Sequence, residues 1–104
     1  MINRKIYQSV FKALCDDKRL QIIELLQNGE KCACVIAEHI NVSQSALSYH
    51  MRILCESGIV LKKEKGKWIH YRLSETGINH AKELLSLLII NNSNDDQVVC
   101  RISS

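Results

Sequence analysis

With 104 residues, a formal charge of +3 and five cysteines, the chain fits one domain with a modest core. The absence of proline and the scarcity of glycine favour helices over a barrel or sandwich, and the mild net charge makes the placement of lysines and arginines more informative than their sum. An odd number of cysteines is unlike a paired secreted scaffold, MINRKIYQ lacks an apolar leader, and no run reaches the roughly eighteen residues of a membrane span, so a soluble cytoplasmic protein with reduced thiols and no membrane partner is expected.

Residues 3–14 place Ile6, Val10 and Leu14 on one helical row, with Tyr7 and Phe11 beside it. Asp16 or Asp17 then supplies the cap of a second helix, KRLQIIELLQNG, with Leu20, Ile23 and Leu26 expected inward and Asn28-Gly29 as the stop. Residues 33–40, apolar at Val35, Ile36 and Ile40, predict a short third helix. Only Asn41, Val42 and Ser43 separate it from the next helix, and a connection that short marks a helix-turn-helix.

The fourth helix, SQSALSYHMRILCESG, has Ser43 as its natural N-cap, Ala46, Leu47, Met51 and Leu54 for its buried side, and Gly58 at its end. On the other side, Gln44, Ser45, Ser48, Tyr49 and Arg52 share a stripe of short hydrogen-bonding groups, an aromatic hydroxyl and a guanidinium, with no carboxylate among them. A solvated helix face usually mixes Glu with Lys, so this stripe is better suited to the major groove of DNA.

From Ile59 the apolar period shortens to two. Ile69, Tyr71 and Leu73 alternate with Trp68, His70 and Arg72, and Gly66 sits where a hairpin reverses. Lys62, Lys63, Lys65 and Lys67 crowd this hairpin. Lysines can simply guard a sheet edge, but directly after a groove-reading helix they predict a wing that contacts phosphates. Ser74 or Thr76 then caps a fifth helix with Ile78, Ala81, Leu84, Leu85, Leu88 and Ile89, widened by Leu87 and Ile90. That is more apolar surface than one small domain covers, so a homodimer through the first and fifth helices is expected.

The expected fold is therefore a mainly α, α+β winged helix-turn-helix: four helices, a two-stranded antiparallel wing and a fifth helix. Residues 1–91 form the DNA-binding and dimerising domain, and residues 92–104 form a polar, disordered tail. Such a dimer would read an imperfect inverted repeat in double-stranded DNA, with half-sites one helical turn apart.

The stretch EKCACVIAEHI places Cys32 and Cys34 just ahead of the third helix's apolar stripe. Thiolates select soft ions, and a helix start favours the ionised thiol. Side chains two apart on a regular helix point roughly 200° apart, so both sulfurs would meet one ion only if the first turn unwound. Ligation would then distort the support of the recognition helix, with a coupling of about 1–3 kcal/mol against DNA binding.

On these residues the chain resembles the ArsR/SmtB family of metal-responsive winged-helix repressors, from FKALCDDKRLQIIELL through GKWIHYRLS and into the last helix, and most of all its arsenic-responsive branch. In that branch the third helix opens with E-L-C-V-C-D-L-C. Here E-K-C-A-C-V-I-A takes its place, so Cys32 and Cys34 match two thiols and Ala37 stands where the third would be. The resemblance implies an operator-binding repressor, with no permanently bound cofactor, that is induced by arsenite or antimonite, other thiophilic ions being possible. Its third sulfur would come from Cys15, Cys55 or Cys100, or from the partner subunit. Cys15 and Cys55 read equally well as small buried residues. His80 and Glu83 match half of the zinc site of zinc-sensing relatives, but the other half is missing, so no histidine is assigned a metal.

The alternative keeps the DNA binding and makes the cysteines a thiol redox switch. An enzyme is not expected, because the sequence has neither C-x-x-C nor a Gly-rich phosphate loop, and no nucleophile with a local base.

Overall fold

Short polar side chains fix where the helices begin. The computed structural model describes residues 3–89, and there Asn3 caps α1 (Arg4–Leu14), Asp16 caps α2 (Asp17–Leu26), Ser43 caps α4 (Gln44–Glu56) and Ser74 caps α5 (Glu75–Ile89). Each side-chain oxygen accepts from a backbone N–H of the first turn, at 3.0 Å from Lys5, 3.1 Å from Arg19, 3.1 Å from Ala46 and 2.9 Å from Gly77. Of the paired expectations, Asp16 rather than Asp17 and Ser74 rather than Thr76 therefore act as caps.

α3 (Ala33–Ile40) ends on Asn41, whose φ of 62° lies in the left-handed region that asparagine tolerates better than most residues. The N–H groups of Asn41 and Val42 both return to the Ala37 carbonyl, and Lys18 Nζ donates to the Ile40 carbonyl at 3.2 Å. The turn expected at 41–43 thus holds α3 against α4, with α2 fastening its C-terminal end.

The sheet departs from expectation. Beyond the hairpin of β2 (Val60–Lys65) and β3 (Trp68–Leu73), Lys31–Cys32 forms a strand, β1, that pairs antiparallel with β3, so the order is β1-β3-β2. Two residues are too few to display a period, and their partner lies far along the chain, so nothing local marks the strand. The wing itself follows the expected alternation. Tyr71 is buried with Ile69 and Leu73 packed beside it, while Trp68 and Arg72 face outward.

The core is built from α1 to α4 and the base of the hairpin: Val10, Ala13, Ile22, Leu26, Ile36, Ala37, Ile40, Leu47, Met51, Ile53, Leu54, Ile59, Val60 and Tyr71. Some inward faces are rotated from their expected positions. In α2 the buried row is Arg19, Ile22 and Leu26, with Leu20 exposed and Ile23 half-buried, because a charged residue occupies a core position and disguises the row. In α1, Tyr7, Val10 and Ala13 are buried, while Ile6, Phe11 and Leu14 remain exposed; in α3, Val35 is exposed and Ala37 takes its place inside. In α4, Ile53 joins the buried side and Ala46 is only half-buried.

Arg19 is 5 % exposed, and each of its three guanidinium nitrogens has a partner. Nε donates to the Ala13 carbonyl at 3.2 Å and Nη2 to the Lys12 carbonyl at 2.8 Å, closing the end of α1. Nη1 lies 2.9 Å from Nδ1 of His50 on α4. A guanidinium only donates, so His50 must accept through Nδ1 and carry its proton on Nε2.

α5 buries no residue completely. Ile78, Ala81 and Leu84 pack against the core, whereas Leu87 and Ile89 are 65 % and 66 % exposed. Its first turn is set by Gly77, where a Cβ would collide with the Gly58 carbonyl oxygen. Between α5, α1 and α2 runs an apolar groove of about 350 Å³, lined by Tyr7, Phe11, Leu14, Ile23, Ile78 and Leu85 among others. Among the described residues no helix is long and apolar enough to cross a membrane. The tail expected over 92–104 lies outside the described residues, as does Ile90.

Arg19→Met keeps the aliphatic stem but strands the Ala13 carbonyl and an imidazole nitrogen, and leaves the Lys12 carbonyl with the Cys15 N–H alone. The substitution is expected to lower stability by about 2–4 kcal/mol. The check is the urea midpoint at fixed protomer concentration; an unchanged midpoint would mean that the three acceptors find other partners.

Candidate functional site

α4 presents the stripe expected of it. Gln44, Ser45, Ser48, Tyr49 and Arg52 are all exposed, and the Arg52 guanidinium stands 5.8 Å from the centre of the Tyr49 ring, within cation–π range. Ser43 is exposed too, but its hydroxyl is engaged as the cap and lies 3.3 Å from that of Ser45. Lys62, Lys63, Lys65 and Lys67 are exposed on the hairpin, with Gly66 at φ 64° and Lys67 forming the two-residue turn between the strands. Three of these lysines have no carboxylate partner among the described residues, whereas Lys65 Nζ donates to Glu30 Oε2.

The thiol pair is not arranged as the sequence suggests. Cys32 belongs to β1 and is the N-cap of α3, with extended backbone at φ −70° and ψ 145°, so only Cys34 lies within the helix. That break in backbone conformation removes the expected angular conflict. Sγ of Cys32 and Sγ of Cys34 already lie 3.0 Å apart, with no unwinding of the first turn. Cys34 is exposed and Cys32 half-buried.

Their protons are held unequally. The Cys34 thiol donates to Cys32 and, together with the N–H groups of Cys34, Val35 and Ala33 at the open end of α3, brings Cys32 below the ordinary thiol value of 9.0 despite a small opposing effect of burial. The same hydrogen bond, with burial and the neighbouring negative charge behind it, pushes Cys34 above that value. One proton therefore leaves the pair more easily than from an isolated thiol, and the second less easily.

The third sulfur is not placed beside them. Cys15 caps the end of α1 and is exposed, so the expectation of a packed residue fails there. Cys55 is half-buried on α4 and packs against the core, where burial pushes its thiol up against the pull of Lys62. Cys100 lies outside the described residues. Ala37 is buried in the core. Among the described residues no three His, Cys, Asp or Glu side chains converge on one metal position. His80 and Glu83 are exposed, and His50 is committed to Arg19.

Glu30 and His70 were missed by sequence reasoning. Glu30 Oε2 lies 3.3 Å from Nδ1 of His70 as well as accepting from Lys65, and the Lys65 hydrogen bond holds its carboxyl below the ordinary 4.5 against slight burial, helped by the charges of Lys65, His70 and Lys63. No local signal joins residue 30 to the hairpin, because the contact follows from β1, itself invisible in the sequence.

The chain is similar to known bacterial regulatory proteins. The pattern of the bacterial regulatory protein, arsR family, matches residues 16–62. The chain is 45% identical over 74 residues to an arsenical resistance operon repressor of Bacillus subtilis, covering 70% of each. It is 35% identical over 99 residues to one from Staphylococcus aureus, covering 93% of this chain and 90% of that protein. Among solved structures, a homodimeric winged helix-turn-helix DNA-binding domain from Mycobacterium bovis superposes with a TM-score of 0.68 at 26% identity, covering 82% of this chain and 79% of the other.

If Cys34 donates the proton that stabilises the Cys32 thiolate, Cys34→Ala should move the alkylation profile of Cys32 to higher pH, toward the ordinary value of 9.0. Iodoacetamide labelling across pH, read at each site by mass spectrometry, measures the shift. A profile that stays in place would remove the hydrogen bond as the cause.

Proposed function

Since the chain belongs to the ArsR family and is thus a winged helix-turn-helix transcriptional repressor rather than an enzyme, we propose that it releases its operator when Cys32 and Cys34 capture a thiophilic metalloid, arsenite or antimonite. The observation that carries this reading is the 3.0 Å separation of two sulfurs at the foot of the helix leading into α4. A trivalent metalloid hydroxide condenses with thiols, each thiol proton leaving with a hydroxide as water, so no oxidant is needed. The easier first deprotonation at Cys32 favours the initial attack. A third sulfur completes the pyramid from Cys100 or from the partner subunit, since neither Cys15 nor Cys55 of the same chain converges with the pair. The printed names of the Bacillus and Staphylococcus relatives support arsenic as the relevant element.

The DNA contact uses the two exposed surfaces already described. Gln44, Ser45, Ser48, Tyr49 and Arg52 enter the major groove, with Ser43 at the helix start near the backbone, and Lys62, Lys63, Lys65 and Lys67 meet phosphates from the wing. Residues 1–91 form the binding and dimerising unit. The groove between α1, α2 and α5, with Leu87 and Leu88 exposed beyond it, supports a homodimer through α1 and α5. The homodimeric Mycobacterium bovis neighbour supports pairing as such. Two α4 helices related by a two-fold axis suit an imperfect inverted repeat with half-sites about 34 Å apart.

A second reading draws on the same distance. Sulfurs this close can also form a disulfide, passing two electrons to a peroxide and two protons to the water it becomes, so the pair would serve as a redox switch. Arsenite and peroxide applied separately in a DNA-release assay distinguish the two.

Cys32→Ser and Cys34→Ser are expected to keep operator affinity while losing release by arsenite, measured by fluorescence anisotropy of a labelled operator. Variants that still respond would move the sensor elsewhere. Arg52→Ala should weaken operator binding by about 1–3 kcal/mol. Unchanged affinity at moderate salt would take α4 out of the groove.

A further inference from the structure

β1 gives the thiol site a neighbour other than α3. Lys31 and Cys32 face Tyr71 and His70 across the antiparallel ladder, and β3 carries β2 on its opposite edge. One residue before β1, Glu30 Oε2 accepts from Lys65, the last residue of β2 beside the wing's turn, and lies 3.3 Å from Nδ1 of His70 on β3. A single carboxylate thus touches both strands of the wing from the segment that holds Cys32.

We infer that Glu30 is a positioning residue that makes the wing follow the thiol pair, so that an ion captured at Cys32 and Cys34 is felt at the wing through β1. This rests on the reading of those two cysteines as the ion sensor. A ladder of two residues is a weak mechanical link by itself, since short pairings fray readily. The Glu30 contacts brace it at its open end. Exposed ion pairs contribute little to stability, so the contribution of Glu30 lies in holding one geometry. The sulfurs are together before any ion arrives, so capture need not bend α3. Any adjustment of Cys32 as it takes up the ion acts directly on its ladder partner His70 and, through Glu30, on Lys65. Lys65 stands among the wing lysines expected at phosphates, so its tether to Glu30 ties the attitude of the wing to the state of the thiols.

The test uses the full chain without DNA and phenylarsine oxide as the probe. Phenylarsine oxide needs only two sulfurs: its As=O oxygen leaves as water with both thiol protons, and two As–S bonds form. Hydrogen exchange is followed at the amides of Val60–Leu73, and loading is followed by protection of Cys32 and Cys34 from alkylation. The expected result is that loading shifts wing exchange in the wild type. Glu30→Gln and Lys65→Gln should lose that shift at equal thiol protection, and Lys65→Arg, which preserves the ion pair, should retain it. Wing exchange that ignores loading in the wild type, or that shifts equally in Glu30→Gln and Lys65→Gln, overturns the inference. Thiols that stay open to alkylation overturn the sensor reading itself, and this inference falls with it.

Discussion

The guanidinium of Arg19 is shared by three helices: it rises from the first turn of α2, closes the carbonyl end of α1 at Lys12 and Ala13, and meets His50 on α4. Burying such a charge is unfavourable unless its donors are satisfied, and here the guanidinium donates to two carbonyl oxygens and an imidazole nitrogen, with the Asp16 carboxylate near enough to offset the charge. The arrangement therefore specifies the angle at which α4 leaves the body. A buried aliphatic side chain could fill the same volume, but it would not choose one orientation of α4 over its neighbours. Lys18, on the adjoining position of α2, fastens the end of α3 in a similar way. The helix-turn-helix is thus oriented from behind by α2, while the outer face of α4 stays exposed.

The thiols sit where that rigid unit meets the sheet. Cys32 ends a strand and begins a helix, so its sulfur lies at the open N–H groups of α3 while its backbone pairs with His70 in the wing's ladder. On the proposed sensor reading, this junction would reconcile two demands, since soft-ion capture needs sulfurs close together and regulation needs the captured ion to touch elements that would reach DNA. Coupling between such sites is typically about 1–3 kcal/mol, small beside the free energy of a metal–thiolate bond, so modest changes at the junction suffice.

The remaining apolar surface belongs to α5. A domain of this size has a limited interior, and the leucines along α5 remain outside it. Pairing two copies along α1 and α5 would bury the groove and also set the spacing of the two reading helices. Dimer formation and operator geometry would then share one structural cause.

Much of this was legible in the residues. Asp16 or Asp17, Ser43, and Ser74 or Thr76 announce helix starts, Asn41 to Ser43 a tight turn, and the alternation around Tyr71 a strand, because caps, turns and periods are all settled within a few neighbours. The burial of Arg19 was not legible, since a charge reads as surface until its partners are known, and its misreading rotated the expected face of α2. The meeting of the two sulfurs was hidden for a related reason: it depends on Cys32 being strand rather than helix, and that follows from a partner strand 38 positions away at His70 (70 − 32). By itself, then, the sequence determined the order of helices, the exposed polar stripe of α4 and the presence of a thiol pair, all of which arise from local backbone preference and side-chain spacing. Only the tertiary structure decided that the sulfurs touch, that Glu30 grips the wing and that Arg19 joins three helices, because each is a contact between distant residues whose distance no local pattern encodes.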